Sequence, residues 1–237
     1  MNPKIFGWEH ITYLVIFVTS TIIGAICSKK FAKNEKTQNI ILKSLALALL
    51  ITIITNRISI VFKTETPKWV ELIPDSYCGM SSLVLALATL VGKKDNNVLH
   101  FVWFMALLGG IITMFYPDFI GQNESIFYIP TISGLLHHSI AIVVVIFLFL
   151  FKHIDVTYKK WYCTVWGFTA YITVGAFLIG ALGKSDAFHI IDPLLSGTPL
   201  NTWVVMPIYI VVYGITLLAF ELVRNHGAKS SNKHKED

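Results

Sequence analysis

Seven long apolar runs separated by short polar connectors constrain this chain more than any other feature. They lie at roughly 8–28, 40–62, 72–91, 98–116, 128–151, 161–183 and 201–223. About 20 consecutive apolar residues suffice to cross a hydrocarbon core of about 30 Å as a helix. A helix also satisfies its own backbone there, which an open strand does not do. The expectation is therefore all-α: a polytopic membrane protein, a bundle of about seven transmembrane helices. Only 14% of the residues are charged, against about 25% in a soluble domain, and the mean hydropathy is +0.65. No connector is long enough for a soluble domain. Residues 1–223 read as a single seven-helix transmembrane domain, and 224–237 as a polar, disordered cytoplasmic tail. The first run lacks a basic leader and a small-residue cleavage motif, so it reads as a retained span.

Charge placement predicts orientation. Thirteen of the 19 Lys and Arg fall in Lys29–Asn39, Gly92–Asn97, Lys152–Lys160 and the tail, and four fall on the other side. The positive-inside rule then puts the N-terminus outside and the C-terminus in the cytoplasm of a multi-pass cell-membrane protein. The net charge of +5 sits in short loops beside apolar helices, which fits anionic lipid headgroups and not nucleic acid. Cys27, Cys78 and Cys163 are odd in number and lack C-x-x-C spacing, against a disulfide framework or thiolate zinc site. Glycines within spans permit close helix packing. Trp8, Trp69, Trp161 and Trp203 fall near span ends, at the interface. The Lys184–Leu200 connection is long enough for an outer cap or lid.

An ionisable group in lipid is costly, and each one raises a functional question. The stretch Leu72-Ile-Pro-Asp-Ser-Tyr-Cys-Gly-Met-Ser-Ser82 carries Asp75 and Cys78, and Gly134-Leu-Leu-His-His-Ser139 carries His137 and His138. Arg57, beside Asn56, lies near the end of the second run, and His10 begins the first. At about 1.5 Å rise per residue, Arg57, Cys78 and His137 fall roughly 8, 9 and 13 Å below one membrane face. With His10 nearest the surface, four helices contribute to one slab, as one pocket would require. Asp75, Cys78 and Ser82 are related by i, i+3 and i+4 spacing, so they share one face of the third helix. Asn56 and Arg57 can pair with Asp75 across an interface, which offsets the cost of both charges. His100 and His153, near the basic side, read as solvated.

Each of these residues also has a structural reading. A membrane cysteine packs as a small hydrophobe, a His pair bonds a neighbouring helix, and Arg57–Asp75 is an ion pair. The chemical reading joins thiol and base: an imidazole that takes its proton makes Cys78 a nucleophile. In lipid the natural electrophile is a phospholipid acyl ester. Cys78 takes the acyl chain, His137 or His138 shuttles the proton, and Arg57 holds a headgroup phosphate. Water as acceptor would make the same site a lipase.

The pieces Phe6-Gly-Trp-Glu-His-Ile11, Ile73-Pro-Asp-Ser-Tyr-Cys78, Tyr116-Pro-Asp118 and Leu136-His-His-Ser139 resemble the YwaF-type integral membrane proteins of bacteria. Those are similar to a eukaryotic transmembrane family that remodels ether phospholipids by acyl transfer. The spans match in order over nearly the whole chain. The resemblance implies Cys78 as acyl acceptor and a catalytic His within Leu136–Ser139. The chain departs from the family pattern at Ser76, where His is frequent, and lacks an N-Y-M-type segment in the sixth span.

The resulting expectation is a Cys/His lipid acyltransferase working in the outer leaflet on membrane lipids. Cys78, His137 and His138 are its catalytic candidates; His10, Asn56, Arg57 and Asp75 bind substrate; no cofactor or metal is called for. The competing expectations are a transporter or ion-binding protein using the same cluster, or a non-catalytic membrane protein. A metal-dependent hydrolase lacks H-x-x-x-H and H-E-x-x-H spacing. A retinal protein would need a lysine in the last span, which has none.

Overall fold

Polar residues at the span edges set where the helices begin. Asn34 accepts a hydrogen bond from the Thr37 amide and Asn96 from the Leu99 amide, satisfying first-turn N–H groups. Pro130 occupies the first turn of its helix, where its missing N–H costs nothing. In the computed structural model, which describes residues 6–117 and 125–233 and side chains as far as Arg224, the result is seven helices. They are α1 (Trp8–Phe31), α2 (Glu35–Val61), α3 (Tyr77–Val91), α4 (Asn97–Phe115), α5 (Ile129–Leu150), α6 (Tyr162–Gly180) and α7 (Thr202–Lys233). No strand occurs among the described residues. Six helices are long and apolar enough to cross a membrane, and α3 is the short one. Asp118 lies outside the described residues, and α7 continues through 224–233, residues that composition placed in the tail.

The third span differs most from its sequence reading. A single helix over 72–91 was expected; instead Trp69–Leu72 forms one tight turn, Pro74 and Asp75 are irregular, and α3 starts only at Tyr77. Pro74 supplies no N–H and disfavours a helical residue before it, and Ile73 is accordingly extended (φ −86°, ψ 122°). Ser76 then caps α3 by accepting from the Gly79 amide at 3.2 Å. The helix has 15 residues, about 22 Å at a rise of about 1.5 Å per residue. Asp75 therefore does not share a helical face with Cys78, whereas Cys78 and Ser82 do.

The chain divides into two compact units, Met1–Ile154 and Asp155–Asp237. In the first, α5 packs against α1, α2, α3 and α4, while α3 fills the space between α2 and α4. Most of α4 and α5 is buried, whereas α1 buries only His10 and leaves its apolar sides for lipid. Lipid tails are as apolar as leucine, so close packing and interhelical hydrogen bonds must supply the cohesion. Gly110 shows how tight that packing is. A Cβ there would lie 2.7 Å from Ile142 Cγ1 and 3.2 Å from the His138 carbonyl oxygen.

In the second unit, buried Phe168, Tyr171, Gly175 and Leu178 line one stripe of α6. Phe168 meets Tyr209 of α7 edge to face at 5.1 Å, and Tyr171 stacks on Phe188 at 5.2 Å. The connection before α7 folds onto this aromatic cluster. The Thr202 amide donates to the His189 carbonyl at 2.8 Å, and its hydroxyl donates to that of Phe188. Gly175 again marks a close approach, since a Cβ would sit 2.9 Å from the Phe188 ring.

Gly110→Ala is expected to cost about 1–3 kcal/mol through overpacking at α4–α5. Gly214→Ala, where a Cβ meets nothing within 4 Å, is expected to be neutral or slightly stabilising. Thermal unfolding of both variants in detergent checks the contrast.

Candidate functional site

The polar residues of the first unit converge on one face of α5. Ser133 and His137 are one turn apart on that face, and each is met by a different helix. From α2, the Asn56 amide donates to Ser133 Oγ and to the Pro130 carbonyl, both at 3.1 Å. From α3, Ser82 Oγ is hydrogen-bonded to His137 Nδ1 at 3.2 Å. Asn56, Ser82, Ser133 and His137 are all at most 4% exposed. His138 is also buried, and its ring packs on His137 with centroids 4.1 Å apart.

Arg57 extends this network toward the end of α2. Its Nη1 lies 3.6 Å from Asp75 Oδ1, the ion pair that the sequence suggested. Its Nη2 donates to Asn56 Oδ1 at 3.1 Å, which aims the Asn56 amide nitrogen at α5. The buried Nε–H of Arg57 has no protein partner, so the guanidinium keeps one donor for something else.

Cys78 lies one turn before Ser82 on the same face of α3, with Cβ atoms about 6 Å apart by helix geometry. Its thiol is seated against α4 at Gly109. A Cβ on Gly109 would come within 2.7 Å of the sulfur, so only glycine leaves room for the thiol. The residue bonded to the imidazole is thus Ser82, with the thiol one turn away.

His10 takes no part in this network. Its Nδ1 accepts from the Phe6 amide at 3.1 Å, so Nε2 carries the proton and donates to the Met114 carbonyl at 2.8 Å. Nε2 thus fastens α1 to the end of α4, while Nδ1 holds the chain that leads into α1. Tyr13, one turn on, bonds Ser139 at 2.8 Å. Between α1 and α5 runs an apolar groove of about 330 Å³ lined by Phe17, Leu136, Ile140 and Val143. It lies beside the Leu136 face of α5, away from the His137 face.

Two expectations need correction or addition. His100 is fully buried, not solvated, and is bonded to Asp95 Oδ1 at 2.7 Å. Ser82, Ser133 and Gly109 belong to the site but were not among its sequence candidates. Ser133 was open to discovery as the hydroxyl one turn before His137. Gly109 was not, because its role depends on which helix faces it. Among the described residues, no three His, Cys, Asp or Glu are grouped to hold a metal ion.

Helices with a buried hydroxyl–imidazole–guanidinium network at their contacts define a polytopic helical membrane protein with an internal polar site. The chain belongs to the TMEM164 family, whose profile matches residues 5–223. No curated protein and no solved structure matches it.

Removing either partner of the Arg57–Asp75 pair leaves the other charge uncompensated. Arg57→Met and Asp75→Asn are each expected to cost about 1–3 kcal/mol, below the ~3–5 of a fully buried pair because the Asp75 side chain is 28% exposed. The double variant is expected to lose less than the two combined, as read by a double-mutant cycle on unfolding in detergent.

Proposed function

We propose that this protein is a membrane-embedded lipid acyltransferase in which Cys78 is the nucleophile and His137 the base. The observation that carries this reading is the buried Ser82–His137 bond with Cys78 one turn away on the same face of α3. Ser82 orients the imidazole through Nδ1, which leaves Nε2 to exchange a proton with the thiol. The resemblance of the Ile73–Cys78 and Leu136–Ser139 segments to acyl-transferring proteins supports the same assignment. The lysine bias supports a site in the outer-leaflet half of the bundle.

In the first half-reaction Cys78 Sγ attacks the carbonyl carbon of a phospholipid ester. The thiol proton passes to His137, a C–S bond forms, and the ester C–O bond breaks. His137 returns the proton to the leaving alkoxide, releasing a lysolipid. Arg57, with its free Nε–H, stabilises the charge that develops on the carbonyl oxygen. In the second half-reaction an acceptor hydroxyl loses its proton to His137 and attacks the thioester, and the thiolate leaves and is reprotonated. His138 packs the base in place, and Asp75 and Asn56 hold Arg57.

One observation favours a second reading. Ser82, not Cys78, is the group directly bonded to the imidazole, so the acyl group can instead be carried as a serine oxyester.

Mass spectrometry of the protein incubated with phospholipid separates the two. The expected result is a fatty-acyl adduct on the Cys78 peptide that neutral hydroxylamine removes. It is absent in Cys78→Ala and forms about tenfold or more slowly in Ser82→Ala, in line with the roughly 10²–10⁴ that general-base catalysis contributes. A hydroxylamine-resistant adduct on Ser82 would establish the second reading. Lipid turnover unchanged in both variants would rule out either.

A further inference from the structure

The first unit has a second polar site at the far end of α3, about 16 Å along the helix from Cys78 at a rise of about 1.5 Å per residue. A pocket of about 170 Å³ opens there between the start of α2, the end of α3, the α3–α4 turn and the turn after α5. Its lining includes Glu35, Asn39, Lys43, Thr89, Lys94 and His153. Thr89 is 2% exposed and its hydroxyl has no partner. A helical threonine ordinarily satisfies itself on the carbonyl a turn earlier, so an orphan hydroxyl lining a cavity is a donor held for a ligand. His153 Nε2 is likewise buried and without a partner.

The charges around the pocket favour an anion. Lys94 is 3.7 Å from Glu35, which leaves Lys43 as the surplus cation. Asp95, the other nearby carboxylate, is hydrogen-bonded to His100 and is not among the residues that line the pocket. Burial first, and the Lys94 ammonium second, hold the His153 imidazole below its ordinary range. At neutral pH it therefore offers a hydrogen bond without adding charge. The backbone is held for this arrangement: the Asp95 amide donates to the His153 carbonyl at 2.9 Å. That bond joins two turns in which Asp95 (φ 56°) and Lys152 (φ 51°) adopt left-handed conformations, uncommon outside glycine.

We propose that this pocket binds a phosphate group, with Lys43 supplying the charge and Thr89, His153 and Asn39 supplying hydrogen bonds. A tetrahedral oxyanion presents several acceptors at once and fits a pocket rich in donors. The group belongs either to a lipid headgroup at the membrane surface or to a free phosphate compound.

The test is thermal unfolding of the full chain in detergent, titrated with sodium phosphate against sodium chloride at matched ionic strength, and with phosphatidic acid against phosphatidylcholine in mixed micelles. Inorganic phosphate or phosphatidic acid is expected to raise Tm saturably, with half-saturation at least tenfold higher in Lys43→Gln and Thr89→Val. Thr89→Val, close to isosteric, is expected to leave the ligand-free Tm unchanged, because it removes a hydroxyl that bonds nothing. Stabilisation by inorganic phosphate identifies a free-phosphate site, and stabilisation by phosphatidic acid alone identifies a headgroup site. Equal responses to phosphate and chloride without a phosphatidic acid effect, or titrations unchanged in both variants, would overturn the proposal.

Discussion

Polar groups buried in an apolar medium must find partners inside the bundle, and in this protein α5 carries most of that requirement. Ser133, His137 and His138 lie within a helix whose other buried residues are aliphatic, aromatic or small. Asn56 and Ser82 answer two of them, and in doing so they set how α2 and α3 lie against α5. Arg57 and Asp75 follow, since Arg57 holds the carbonyl side of Asn56 and Asp75 balances Arg57. An interhelical hydrogen bond in a membrane averages only about 0.6 kcal/mol, so no single bond holds the bundle. What these bonds specify is register, because a helix rotated or slid by a residue would leave several buried groups unpaired at once.

The break before α3 is the second device. Pro74 ends the approach to the helix and Ser76 starts it, which puts Cys78 in the first turn of a short helix instead of deep inside a long one. Irregular backbone at membrane depth is tolerated where protein covers it, and the Trp69–Leu72 turn packs against α2. Ser76 sits at the junction between this irregular stretch and the helix. Here its hydroxyl caps α3, so the position serves helix initiation. Gly109 completes the arrangement by giving the thiol its space on α4.

The two ends of the first unit differ in chemical character. The Cys78 end is a closed network in which most polar atoms have a partner, with the Nε–H of Arg57 and the hydroxyl of Thr131 left over. The basic end around Lys43 and His153 is an open pocket with orphaned hydrogen-bonding atoms and surplus positive charge. Exposed lysines alone would mean only lipid-surface attraction. A buried, unpartnered Thr89 among them makes the difference between a charged rim and a built site.

Hydrophobic runs and their polar punctuation were enough to determine the all-helical class, the number of helices and most of their boundaries, because both signals are local. The Arg57–Asp75 pair was also legible, since two opposite charges in lipid have few other ways to be accommodated. The start of α3 was hidden by the continuous hydropathy of 72–91, although Pro74 and Ser76 held the information. The pairing of His137 with Ser82, the engagement of His10 by Met114, the burial of His100 and the seat of Cys78 on Gly109 were decided only by tertiary structure. Each depends on which residue of another helix stands opposite, and that is set by the rotation and depth of whole helices. An apolar run reports that a helix is buried in lipid; it carries almost no signal about which of its faces meets which neighbour.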